Sequence, residues 1–228
     1  MTPARYHRIF EVLRRRQPDL TVILEGVHKP HNLSAIQRSC DAAGVMAVHA
    51  VAPDRPYRTH RKTAMGSAKW VDSHSHSSVT AAIDQLHDSG FHIVAAHFSD
   101  RAVDYRAENY TRPVAILMGT EKYGVSEAAL TKVDGEITIP MHGMVASLNV
   151  SVAAAIILYE AERQRRLAGL YDKPRLAEEN IQEYLFRWGY PRLVSRYEAL
   201  GIPFPRIGAA GEILDPVPDQ IKRKLPRK

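Results

Sequence analysis

A single cysteine, Cys40, in a chain of 228 residues excludes an internal disulfide and a thiolate-rich zinc site. Long apolar runs are missing as well. The longest, Val152 to Leu158, falls far short of the roughly 20 residues that a membrane-spanning helix needs. No apolar stretch opens the chain in the manner of a secretory leader. A soluble, cytoplasmic protein is therefore expected, with no membrane partner, and the Asn-x-Ser triplets at Asn32 and Asn149 are read as chance matches. The phosphate-binding signatures are also lacking. No G-x-G-x-x-G follows an early strand and no G-x-x-x-x-G-K-[ST] occurs, which argues against dinucleotide-binding and P-loop folds. Gly-x-Ser-x-Gly, the hydrolase elbow, is absent too. Histidine is plentiful, yet His74 and His76 merely alternate at a strand end with no Cys/His quartet around them, so no metal is expected.

What is present is an uneven charge. Residues 1–20 carry five Lys/Arg and two acids, a net +3, and residues 21–159 carry 12 and 13, a net −1. Residues 160–228 carry 14 and 10, a net +4. Basic ends around a near-neutral body suit a catalytic domain whose arms hold a polyanion. Basic ends that serve solubility alone are the plainer alternative.

Thr2-Pro3 is a helix-start signal, a capping hydroxyl before a proline at the first helical position. The spacing of Tyr6, Ile9, Phe10 and Leu13 predicts a helix to about Arg16, with Arg5, Arg8, Arg15 and Arg16 on its other faces. Strands are predicted at 22–24, 47–51, 70–71, 93–97, 114–118 and 136–139. Helices are predicted at 33–43, near 62–68, and at 79–89, 126–132 and 148–166. This alternation argues for an α/β fold with a mostly parallel sheet flanked by helices. Beyond Gly169 two further helices read at 178–188 and 191–200, and the proline-rich remainder reads as extended or disordered. The expected organisation is an N-terminal basic helix (1–20), a catalytic domain (21–168) and a C-terminal helical and basic extension (169–228).

Three segments share one grammar, an apolar strand running through a polar loop into a helix: VILEGVHKPHNLSAIQRSCDAAGV, AILMGTEKYGVSEAAL and IPMHGMVASLNVSVAAAIILYE. A loop feeding a helix start leaves backbone N–H groups pointing into a crevice that can hold a polar small molecule. In the first, Asn32 stands at the mouth of a helix, where an N-cap role is the simplest reading, and Arg38 follows nearly two turns on. In the second, Gly119 and Gly124 let the backbone turn sharply around Glu121, the only acid of that loop.

Together these segments resemble the signature motifs of the SPOUT class of RNA 2′-O-ribose methyltransferases, and most closely those of the tRNA guanosine-18 2′-O-methyltransferase family. The likeness runs from TPARYHRI through GYPRLVSRYEALGIPFP, with VHKPHNLSAI its longest specific stretch. It implies S-adenosylmethionine as methyl donor, tRNA as partner, a homodimer with shared active sites, and a deep trefoil knot in the C-terminal part of the catalytic domain. A short basic helix stands where ribosomal-RNA relatives carry a separate RNA-binding domain, which points to tRNA. The catalytic set so implied is Arg38, Asn32, Glu121, Ser147 and Asn149, with Arg38 central. The donor would lie among Ala96, Met118, Gly119, Ile139, Met141 and Leu148, the backbone groups of Ile139 and Leu148 taking the adenine. Several family members have threonine where Ala96 stands, so a side-chain hydrogen bond is lost there. Arg8, Arg14, Arg15, Arg16, Arg163 and Arg166 are the expected RNA ligands. Action on ribosomal RNA or another tRNA position, and non-catalytic RNA binding on the same fold, stay open at this level.

Overall fold

The structure is a computed structural model that describes residues 1–51, 69–120 and 123–222. It divides into two compact units, residues 17–170 and residues 1–16 with 171–228.

The larger unit is built on a sheet of seven strands: β1 (Leu20–Glu25), β2 (Ala47–Val51), β3 (Asp72–His76), β4 (His92–Ala96), β5 (Val103–Asp104), β6 (Val114–Met118) and β7 (Gly135–Thr138). Their order across the sheet is β3-β2-β1-β6-β4-β7-β5, and every pairing is parallel. The central strands β1 (LTVILE) and β6 (VAILM) are continuous apolar runs because both faces of a parallel sheet are covered. Alternate residues go to opposite sides. Val22 and Leu24 of β1 pack with Ile36 of α2 (Pro30–Ala42) and with Ile157 and Leu158 of α5 (Val150–Leu167). Ile23 packs on the other side with Ala82 and Ile83 of α3 (Val79–Asp88) and with Ala129 of α4 (Glu127–Leu130).

The smaller unit pairs α1 (Pro3–Leu13) with α6 (Glu178–Gly189) and adds α7 (Pro191–Leu200) and α8 (Asp219–Lys222). Phe186 is its aromatic centre, with Tyr190 and Phe204 stacked on it and Tyr197 meeting it edge-on.

Several expectations are corrected. Helix α1 stops at Leu13 rather than about Arg16. The N–H groups of Arg15 and Arg16 reach back only three residues, to Val12 and Leu13, so the chain tightens into a turn. The strand expected at 70–71 lies at Asp72–His76. It is a polar edge strand with no apolar signature to read, as edges exposed to water favour. The two-residue β5 carried no signal in the sequence. Nor is the tail merely extended: Ile207 bridges to Ile213, and Ile207 and Ile221 are buried. The helix expected near 62–68 lies outside the described residues. No helix among the described residues is long and apolar enough to cross a membrane.

Candidate active site

Beyond the carboxyl ends of β4, β6 and β7 opens a cleft of about 840 Å³. Open α/β sheets bind ligands at this end, where strands hand over to loops. Met118, Ile137, Ile139, Leu148 and Ile157 give it apolar walls, and the loops supply backbone polar groups between them. All six residues expected to hold a donor, Ala96, Met118, Gly119, Ile139, Met141 and Leu148, line this one cleft, as does Ser147.

The loop after β6 is closed on itself. Thr120 and Gly124 exchange both backbone hydrogen bonds at 2.9 Å, and the Thr120 hydroxyl accepts from the Tyr123 N–H at 2.9 Å. A side chain at Gly119 would put its Cβ 2.2 Å from the carbonyl carbon and oxygen of Gly124, so only glycine fits. Two residues of the first motif brace this loop. Gly26, with φ of 65°, has no room for a side chain beside the Thr120 methyl, and the Glu25 carboxylate accepts from the Ser126 N–H (3.0 Å) and hydroxyl (2.6 Å). Sequence reasoning passed over this brace. An acid ending an otherwise apolar strand, just before a glycine, was the available signal. Glu121 lies outside the described residues.

The first and third motifs meet through their asparagines. The Asn149 side chain caps α5, accepting from the Ser151 N–H at 2.8 Å, and its amide donates to Asn32 Oδ1 at 3.3 Å. Asn32 is not the cap of α2. Lys29 holds that place, Pro30 takes the first turn, and Asn32 sits buried one step further in. Its amide therefore serves the Asn149 junction. Arg38, on the same helix, is exposed and makes no hydrogen bond or ion pair to described residues. It is not part of the cleft lining. Asp104, which lines the cleft, has its carboxyl held below the usual range by hydrogen bonds from the Arg106 side chain and backbone.

The arginines expected to meet RNA divide. Arg8 is exposed. Arg14 and Arg15 share Glu11 at 3.2 and 3.3 Å, Arg163 holds Glu160 through two bonds of 2.8 Å, and Arg166 reaches Glu162 at 3.2 Å. Their guanidinium groups stay accessible, and a phosphate can compete with the carboxylate for them. Arg16 differs. It is 0% exposed, with its guanidinium 5.3 Å from the centroid of the Trp188 ring. That burial corrects its expected role, because the charge is out of reach of a phosphate.

Comparison with known proteins decides the family. The model of the SpoU rRNA Methylase family matches residues 19–159, and the model of the SpoU rRNA methylase C-terminal region matches residues 163–216. The chain belongs to the SpoU methylase family. Among its relatives, the tRNA (guanosine(18)-2′-O)-methyltransferase of Escherichia coli strain K12 is 52% identical over 93% of this chain and 94% of that one. Among solved structures, the TrmH/SpoU tRNA modifying enzyme of A. aeolicus superposes with a TM-score of 0.78 at 40% identity, over 83% of this chain and 97% of that one. An AdoMet-bound rRNA methyltransferase from Sinorhizobium meliloti superposes with a TM-score of 0.59 at 29% identity, over 68% and 59% of the two chains. The SpoU cleft described above suits an adenosyl ligand. Its apolar walls take a flat purine, its loop backbones offer donors and acceptors, and Asp104, its one carboxylate among the described residues, is already matched by Arg106.

Proposed function

We propose that this protein transfers a methyl group from S-adenosylmethionine to the ribose 2′-hydroxyl of guanosine 18 in tRNA. The observation that carries the reading is the gathering of the second and third motifs at one cleft, with the first joined to it through Asn32 and Asn149. Near full-length similarity to an enzyme named for this reaction supports it.

The donor supplies an electrophilic sulfonium methyl. The chain's own residues must place the 2′-oxygen and dispose of its proton. A ribose hydroxyl is a weak nucleophile, so that proton has to be shared or accepted as the bond forms. Arg38 cannot take it, since a guanidinium stays protonated and has no lone pair to offer. Its exposed planar fork suits an RNA phosphate beside the 2′-hydroxyl. Held there by Arg38, a phosphate oxygen accepts the proton. Asn32 and Asn149 keep the α2 and α5 starts in register, so that the RNA-facing helix and the donor-holding loop stay in fixed relation. Ser147 and Glu121 complete the proposed catalytic set, and Ala96, Met118, Gly119, Ile139, Met141 and Leu148 hold the donor.

The proposal includes a homodimer and the deep trefoil knot of the family. Val152 and Tyr159, seven residues apart and therefore on one face of α5, are 46% and 54% exposed, which supports a surface covered by a second copy. Residues 21–168 form the catalytic part in this reading. In the cytoplasm tRNA is held by Arg8, Arg14 and Arg15 of the N-terminal flank and by Arg163 and Arg166 near the end of α5.

The test is incubation with unmodified tRNA and methyl-labelled S-adenosylmethionine, followed by mapping of the labelled nucleotide. Label on the ribose of guanosine 18 is the expected result. Label elsewhere in tRNA, or only in ribosomal RNA, would transfer the activity to another substrate, and RNA binding without label would make the protein a binding module.

A further inference from the structure

The rim of the cleft carries a side chain that the reaction as described does not use. Phe98, in the connection between β4 and β5, lines the cleft and yet is 85% exposed. Aromatic side chains ordinarily bury most of their surface, so a ring held in water needs an account. Looseness of the loop does not provide one, because the loop is fastened along its length. The His97 N–H donates to the Ile137 carbonyl at 3.0 Å and the Tyr105 N–H to Thr138 at 2.9 Å, pinning both ends to β7. Between them the Ser99 hydroxyl and the Arg101 guanidinium both donate to Glu136, a carboxylate buried on β7. The Arg101 N–H closes the turn on Ser99 Oγ at 3.2 Å. The ring is therefore presented outward by a preorganised frame.

Charge indicates what it meets. The side chains of Arg101, in the same connection, and of Arg106, just past β5, are 75% and 58% exposed beyond their carboxylate partners. An exposed aromatic ring on a fastened loop, with exposed guanidinium groups close to it in the chain, suits an unstacked RNA base whose backbone the arginines can meet.

Resting on the reading of the cleft as the site of ribose methylation, we propose that Phe98 stacks on a nucleobase of the RNA substrate next to the methylated ribose. The ring is then a substrate-positioning group. A protein partner would leave the two guanidiniums facing an apolar surface, whereas a nucleotide satisfies the ring and the charges together.

Four full-length variants test this, with unmodified tRNA and labelled S-adenosylmethionine as probes. Phe98→Ala should raise KM and Kd for tRNA about fivefold or more, the lower end of what a lost base–aromatic stack costs. Its kcat at saturating tRNA, its donor Kd by calorimetry, its melting temperature and its sedimentation should stay as in the wild type. Phe98→Trp and Phe98→Tyr should restore tRNA affinity, whereas Phe98→Leu, apolar but without a π face, should not. Full rescue by leucine would overturn the stack, as would unchanged tRNA affinity in the alanine variant. Weakened donor binding would place the ring against the adenine of the donor, and altered sedimentation would place it at a subunit contact; either result overturns the proposal. Absence of label with the wild-type chain would strike the methylation reading itself, and this inference with it.

Discussion

At the scale of single residues, the proposed mechanism places most of the chemistry on Arg38. If its planar fork holds a phosphate in place, Arg38→Lys keeps the charge and loses the geometry. Single-turnover methylation with both partners saturating should then fall by about a hundredfold or more, while tRNA and donor Kd change little. A lysine variant that retains most of its rate would reduce Arg38 to a charge near the backbone. Asn149 carries two duties, the α5 cap and the bond to Asn32. Asn149→Ala should cost about 1 kcal/mol of stability in a denaturant titration, with weaker donor binding besides. Wild-type stability together with wild-type donor affinity would make it an ordinary surface residue. His49 gives the molecule an acid sensitivity. Burial first, then the neighbouring His74 and His76, push its imidazole down to about 4, and His76 is lowered as well. In the unfolded chain a histidine titrates near about 6.5. Between those values the unfolded state binds a proton that the folded state refuses, so stability falls as pH drops through that window. The urea midpoint should decline from pH 7.5 to pH 5, and the decline should be shallower in His49→Leu, which has no imidazole to protonate. Equal slopes in the two proteins would show that His49 is not the source.

At the scale of elements, the reading from sequence succeeded where burial writes a pattern and failed where it does not. Strands at 47–51 and 114–118 and the helix at 191–200 were legible to the residue, because apolar runs and a Pro start mark them. β3 was missed in place because Asp-Ser-His-Ser-His at a sheet edge has no apolar face to announce it. The six residues expected to hold the donor were named through the family resemblance of the loop motifs, and the structure brings all six to one cleft. The Glu25 carboxylate on Ser126 is a contact across 101 residues, and no local pattern encodes it. Arg165 is a second such contact. Wholly buried near the end of α5, it donates to the Tyr110 and Arg112 carbonyls at 2.8 Å, to Gln17 at 3.1 Å, and to the side chain and carbonyl of Asp19 at 2.7 and 3.0 Å. One guanidinium thus ties α5 to the chain leading into β1 and to the segment ahead of β6. Arg165→Met leaves Asp19 and three carbonyls without their donor, and should destabilise the protein by about 3 kcal/mol in chemical denaturation. A loss under about 1 kcal/mol would show that water replaces the network.

At the scale of the whole molecule, the uneven charge that opened the reading finds only part of its expected use. Arg16 is buried over Trp188, so the proposed RNA contacts rest on the exposed arginines, most of which already hold a carboxylate. The proposed reaction depends on more than charge: in it a shaped cleft, braced loops and a phosphate-directed arginine act on one hydroxyl. Two tRNA samples that differ only at position 18, one with guanosine and one with 2′-deoxyguanosine, therefore give the most direct measurement. Incubated with the protein and methyl-labelled S-adenosylmethionine, the first should take up label and the second none, because the accepting oxygen is gone while every surface for binding remains. Equal label in both, or none in either, would contradict 2′-O-methylation of guanosine 18.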